Sequence, residues 1–193
     1  MFVKKYFKEI EIISRILDFK KLEKLVSEIY SLKNKGGRIF FLGLGGSAAN
    51  CSHAVNDFRK LCNIECYSPT DNVSELTARI NDEGFKTSFS KWLNVSKLNS
   101  NDALFIFSVG GGNIKKKVSI NIIDAIKFSK KRGAKIFGVV GRDGGYTKKR
   151  GNTVIIIPKT DNEFITPIVE SYQAIIWHYL VSHPKIKENK TKW

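Results

Sequence analysis

A chain of 193 residues, 42% apolar and 26% charged, has the size and composition of one soluble globular domain with a two- or three-layer core. No run approaches the roughly 18 apolar residues of a membrane span, and acidic residues follow soon after Met1 with no small-residue cleavage site, unlike a secretory signal. The 33 Lys+Arg against 18 Asp+Glu leave a net charge of +15, scattered in short groups rather than gathered on one basic helix, which makes nucleic acid an unlikely partner and an anionic small substrate the better one.

In chain order, Phe2, Tyr6, Ile10, Ile13 and Leu17, then Leu22, Leu25, Ile29 and Leu32, recur at helical spacing, so residues 1–35 read as N-terminal helices closed by Gly36-Gly37. Arg38-Ile39-Phe40-Phe41-Leu42 is a short continuous apolar run, the pattern of a strand buried on both faces. It enters a glycine loop, Gly43-Leu44-Gly45-Gly46-Ser47, and then a helix over Ala48 to Leu61. Glu65 to Tyr67 reads as a short strand, and Val73 to Ile80 and Thr87 to Leu93 as short helices. The strand–glycine loop–helix unit then returns: Ala103 to Phe107, the loop Ser108-Val109-Gly110-Gly111-Gly112-Asn113, and a helix over Ile120 to Lys131. Lys135 to Val140 and Thr153 to Ile157 are further strands, the last stopped by Pro158, and a long helix runs from Pro167 to His183.

Strands alternating with helices predict an α/β fold: a three-layer sandwich with a mostly parallel sheet flanked by helices, flavodoxin-like or Rossmann-like. No low-complexity linker divides the chain, so 1–193 reads as one domain, with 36–184 as its nucleus and a polar tail over 185–193 that is expected to fray. The three cysteines, Cys51, Cys62 and Cys66, form no paired framework, and Cys62 and Cys66 lack the second pair a zinc finger needs. Reduced, packed thiols point to a reducing compartment, the cytoplasm.

In an open parallel sheet, ligands bind beyond the carboxyl ends of the strands. Both glycine loops belong there. Glycine lets backbone N–H groups approach an anion, the following helix N-terminus adds partial positive charge, and Ser47 and Ser108 offer hydroxyls. The first loop lacks the third glycine of a dinucleotide fingerprint, and no Gly-Lys-Ser/Thr makes it a P-loop. His53 and Asp57 are four residues apart on one helix, hence on one face, where they suit acid/base work or metal ligation as well as a plain surface pair. Glu170 and His178, in an unusually apolar last helix, are separated by about 12 Å of axial rise. One metal would reach both only with help from a kink, a loop or a neighbouring subunit.

These loops, His53 to Asp57, Asn81-Asp82, Gly141-Arg142-Asp143-Gly144-Gly145 and the terminal helix with His178 together resemble the sugar isomerase (SIS) domain family, in particular the phosphoheptose isomerases that act on sedoheptulose 7-phosphate. The resemblance spans nearly the whole chain. It implies ketose–aldose isomerisation of that sugar phosphate or a relative, in heptose synthesis for a surface polysaccharide, by a homotetramer with sites between subunits. It also implies substrate contacts from Gly45, Gly46, Ser47, Asn81, Asp82, Ser108, Val109, Gly110, Asn113 and Glu170. Asp57 takes the place of the family's catalytic glutamate and His178 that of its catalytic histidine. Zinc would be held by His53, Asp57, Glu170 and His178, with Glu170 standing where the family has glutamine. The chain departs from the family in its second loop, usually Ser-Thr-Ser-Gly-Asn-Ser, where only the first hydroxyl survives and Lys115 to Lys117 can add charge. Pro167 also replaces an aspartate. These departures describe a divergent branch, with a non-catalytic sugar-phosphate sensor or assembly protein as the alternative.

Overall fold

A computed structural model describes residues 1–191. The two apolar series at the N-terminus form α1 (Phe2–Ile16) and α2 (Phe19–Asn34), separated where Asp18 caps α2 by accepting from the Lys21 backbone N–H at 2.9 Å. Then follow β1 (Ile39–Leu42), α3 (Gly46–Cys62), β2 (Cys66–Tyr67), α4 (Val73–Glu83), a 3-10 turn at Phe85–Thr87, α5 (Ser88–Val95) and β3 (Ala103–Ser108). The second half comprises α6 (Ile120–Lys131), β4 (Lys135–Val140), α7 (Gly145–Arg150), β5 (Thr153–Ile156) and α8 (Ile165–Ser182). Pro167 sits in the first turn of α8, where its missing N–H would have had no helical acceptor.

The five strands are all parallel, in the order β2-β1-β3-β4-β5. The strand order reverses between β1 and β3, and the two glycine loops leave the sheet on either side of that switch point. Alternate residues of the strands supply two cores. Ile39, Phe41, Phe105, Phe107 and Phe137 pack beneath α2, α3 and α8, whereas Phe40, Leu42, Leu104, Ile106 and Ile136 pack against α5 and α6. The layers are therefore helix, sheet, helix, as the alternation predicts.

One buried polar tie aligns β1 with β3 at their N-terminal ends. Asp102, 2% exposed, accepts from the Arg38 backbone N–H (3.0 Å), Arg38 Nε (3.2 Å), Arg38 Nη2 (2.8 Å) and the Asn99 N–H (3.0 Å). Its carboxylate raises the Arg38 guanidinium pKa further.

The tail corrects an expectation. Residues 185–189 dock rather than fray: Ile186 is fully buried in the α2–α3–α8 core, and the Glu188 and Asn189 N–H groups both donate to Leu61 O. Glu188 pairs with Lys33 and accepts from Asn63 Nδ2 at 2.5 Å. A single apolar residue among lysines carries no periodicity, so only its tertiary contacts reveal it. The last two tail residues lie outside the described ones. No helix among the described residues is long and apolar enough to cross a membrane.

Candidate functional site

The first loop turns the chain from β1 into α3 at Gly45, whose φ of +59° favours glycine, and no side chain caps the helix. The Ala48 and Ala49 N–H groups donate to Gly45 O, so those of Gly46 and Ser47 are left for another acceptor. Gly46 is needed for a different reason: a Cβ there would lie 2.5 Å from Glu170 Oε2. The Glu170 carboxylate therefore rests against the start of α3, where the helix dipole favours a negative charge.

Across the switch point, the second loop is held backbone to backbone on the Gly141–Gly145 turn. The Thr147 N–H and Oγ1 both donate to Gly111 O at 2.9 Å, and the Tyr146 N–H donates to Gly112 O at 2.9 Å. Ser108 Oγ accepts from the Gly111 N–H at 3.0 Å, which leaves its proton as the donor it offers a ligand.

Between the loops lies a cavity of about 450 Å³. Of the residues expected to contact substrate, Ser47, Ser108, Val109, Gly110, Asn113 and Glu170 line it, with Gly45 and Gly46 just behind Ser47. Lys116, Ser119, Arg142 and Thr166 line it too. The sequence offered a signal for two of these, in Lys115 to Lys117 and in the Gly141 to Gly145 motif, but no role for Arg142. Asn81 and Asp82 are not brought to this cavity. They stand exposed on the last turns of α4, where Asn81 Nδ2 donates to Asp82 Oδ1 at 2.8 Å.

A second cluster lies further along the packed pair α3 and α8. Asp57 Oδ2 is 3.9 Å from His53 Nε2 and 4.0 Å from His178 Nε2. Asp57 is nearly buried, and its other oxygen accepts from Asn56 Nδ2 at 2.8 Å. His178 Nδ1 stands 2.9 Å from Ala174 O. A carbonyl only accepts, so Nδ1 donates its proton there and Nε2 is the ring nitrogen turned towards Asp57. Trp177 walls the cluster, with its ring centroid 4.5 Å from His53 and 3.5 Å from His178.

One ligand atom from each of His53, Asp57 and His178 falls within 4.8 Å of the others. Two imidazoles and a carboxylate with an open side fit a catalytic zinc site, and the His178–Ala174 bond is the outer-shell support such a histidine needs. All three come from one protomer, so no neighbour has to contribute them. Glu170 is not part of this group: it faces the cavity, two helical turns nearer the N-terminus of α8. Its expected role as a fourth ligand is not met within the chain, because the eight-residue separation from His178 persists in an unkinked helix.

A switch-point cavity between glycine loops, with two imidazoles and a carboxylate on the same helix pair, is the arrangement of an α/β domain suited to a small anionic ligand and to acid/base work. The chain belongs to the SIS domain family, whose profile matches residues 5–141. It is similar to a phosphoheptose isomerase from Nitratiruptor sp., at 31% identity over 159 residues, covering 80% of this chain and 79% of that one. It is also 31% identical over 166 residues to the lincomycin biosynthesis protein LmbN of Streptomyces lincolnensis, covering 80% of this chain but 58% of that longer relative. The phosphoheptose isomerase GmhA of Neisseria gonorrhoeae shares the fold, with a TM-score of 0.78 at 23% identity over 93% of each chain.

Proposed function

We propose that this chain is an aldose–ketose isomerase of a phosphorylated sugar, sedoheptulose 7-phosphate or a close relative, serving heptose synthesis. The observation that carries the reading is Asp57 held between two imidazole Nε2 atoms on the same helix that begins at the cavity. A sugar-phosphate sensor needs the cavity and has no use for the cluster.

The chemistry exchanges a proton between C1 and C2 through a cis-enediol. The Asp57 carboxylate removes the proton from carbon in one direction and returns it to the neighbouring carbon. His178, oriented by the Nδ1–H bond to Ala174 O, takes the hydroxyl proton from one oxygen through Nε2 and delivers it to the other. No atom is gained or lost. Ser47 and the Ser108 loop hold the phosphate end, and Trp177 shields one side of the cluster from water. His53, Asp57 and His178 would hold zinc, which supplies polarisation of the carbonyl when bound.

Along α3, Ser47 precedes His53 by about 9 Å and Asp57 by about 15 Å of rise. That separation supports a homotetramer in which a neighbour completes each site and in which Asn81, Asp82 and Glu170 find their roles. Phe2, Phe7, Ile16 and Phe19, all more than half exposed, offer an apolar face for such an assembly. Three reduced, buried cysteines support a cytoplasmic setting.

The test is incubation with sedoheptulose 7-phosphate and related phosphosugars, following the ketose and aldose phosphates, with Asp57→Asn and His178→Ala as controls. Turnover lost in both variants is expected. Tight binding without turnover by the unaltered protein would replace this reading by the sensor, which the loss of loop hydroxyls favours.

A further inference from the structure

We propose that Arg142 and Lys116 are the phosphate-binding groups of the switch-point cavity, so that cations do the work the Ser108 loop has too few hydroxyls to do. The inference rests on reading the cavity as the sugar-phosphate site, and it names the end of the ligand recognised there: a dianionic phosphate monoester.

The second loop is poor in donors. Ser108 is its one hydroxyl residue, and that oxygen is occupied as acceptor of the Gly111 N–H. Facing it are two cations that no carboxylate pairs, although Asp143 and Glu170 line the same cavity. Arg142 lines the cavity, and its guanidinium makes no hydrogen bond or ion pair among the described residues. Its stem lies over the loop: a Cβ on Gly110 would be 3.8 Å from Arg142 Cδ. Lys116 lines the same cavity, and its ammonium is likewise unpaired among the described residues. A small antiparallel bridge presents it, with Asn113 and Val118 exchanging N–H···O bonds at 3.0 Å and Asn113 Oδ1 accepting from the Lys116 N–H at 2.9 Å.

The backbone here is in a conformation that side-chain-bearing residues avoid. Five non-glycine residues have positive φ; Ser119 (+52°) and Arg142 (+53°) line this cavity, and Lys117 (+53°) lies between two residues that do. Such conformations persist where the surroundings enforce them, and they gather at ligand clamps. Each positions a neighbouring donor: Lys117 follows Lys116, Ser119 opens α6, and Arg142 carries the guanidinium itself.

A fork of guanidinium donors with an ammonium beside it suits a terminal phosphate carrying two charges. Binding should weaken with rising salt and as pH falls through the second phosphate ionisation, near about 6.

The test is titration calorimetry of the whole protein with inorganic phosphate, alongside isomerase kinetics. Arg142→Met and Lys116→Met are each expected to weaken phosphate binding about tenfold to a hundredfold, the worth of one charge-assisted bond, and to raise KM far more than they lower kcat. Arg142→Lys should recover part of the loss. Lys131→Met, on α6 away from the cavity, should bind phosphate like the unaltered protein. Phosphate bound equally by the Met variants, or not bound by the unaltered protein, overturns the clamp even if isomerisation is found. Arg142-dependent phosphate binding in a protein with no turnover upholds the clamp and overturns the isomerase reading instead.

Discussion

Replacing Asp57 by Asn separates chemistry from architecture at one position. The amide has the size of the carboxylate and keeps a carbonyl oxygen for the Asn56 Nδ2 donor at 2.8 Å. It has no charge to place 3.9 Å and 4.0 Å from the two imidazoles, and it cannot take a proton from carbon. Loss of a general base lowers kcat by about 10²- to 10⁴-fold. The cost to stability is small by contrast. Both imidazole side chains are more than half exposed, at 59% and 53%, so their pairing with Asp57 is solvent-screened and is worth at most about 1 kcal/mol. In a domain of this length that corresponds to about 2–4 °C in Tm. The assay is steady-state turnover of sedoheptulose 7-phosphate beside a thermal melt of the same preparation. A kcat within about threefold of the unaltered protein, far short of a lost general base, would refute Asp57 as the base. A melt lowered by 10 °C or more, against the few degrees expected, would show that the carboxylate serves the fold.

Asp102→Ala is expected to behave in the opposite way, leaving the site chemistry intact while removing the acceptor of four donors and leaving the Arg38 guanidinium only the Ser96 and Lys97 carbonyls; denaturant unfolding should show a loss of about 3 kcal/mol. Gly111→Ala puts a side chain at φ +65° and against Gly144 O, so the second loop must leave the Gly141–Gly145 turn; phosphate affinity should fall with it, measured by calorimetry. Burial pushes the Cys62 thiol up to about 12 and raises Cys51 and Cys66 well above the usual range, so a disulfide thiol reagent at pH 8 should find all three unreactive in the native chain and all three reactive in denaturant. Lys33 and Asn63 hold the Glu188 carboxyl below its ordinary pKa; its contribution is therefore complete above the unfolded carboxylate range and lost as pH falls through the lowered value, and the protection of the amides of residues 185–189 relative to their intrinsic exchange rate should fall at pH 3 compared with pH 7, and at pH 7 in Glu188→Gln.

Much of the architecture is legible from local pattern, because buried parallel strands such as Ile39–Leu42 and Ala103–Ser108 are continuous apolar runs that end in glycine loops. What the pattern misses is set by contacts distant in sequence. Ile186 is one apolar residue in a polar tail, and only the core formed by α2, α3 and α8 gives it a place. Arg142 reads as part of a turn. Its approach to Gly110 depends on β3 and β4 being neighbours, with Ser108 opposite Val140 in register. His53 and Asp57 announce a shared face by their spacing, but the arrival of His178 from the other end of the chain follows from how α8 lies on α3.

That packing explains why the two halves of the site are separate and yet linked. Both helices begin at the cavity and run away from it side by side: Glu170 rests on Gly46, Asn50 Nδ2 donates to Glu170 O (3.0 Å) and Gln173 Oε1 (3.1 Å), and His178 faces Asp57. On α3, Ser47, Asn50, Ala54 and Asp57 fall on one stripe at intervals of three and four residues, the face a neighbouring helix covers. The stripe is polar at both ends and in the middle. Gln173, fully buried with Nε2 unpartnered among the described residues, is fixed by Asn50 between the carboxylate at the cavity and the cluster beyond it. A shift of α8 along α3 would move Glu170 and His178 together. The cavity at the helix starts and the His53–Asp57–His178 cluster further along are thus mounted on one packed helix pair, and a substitution at Asn50 should disturb both.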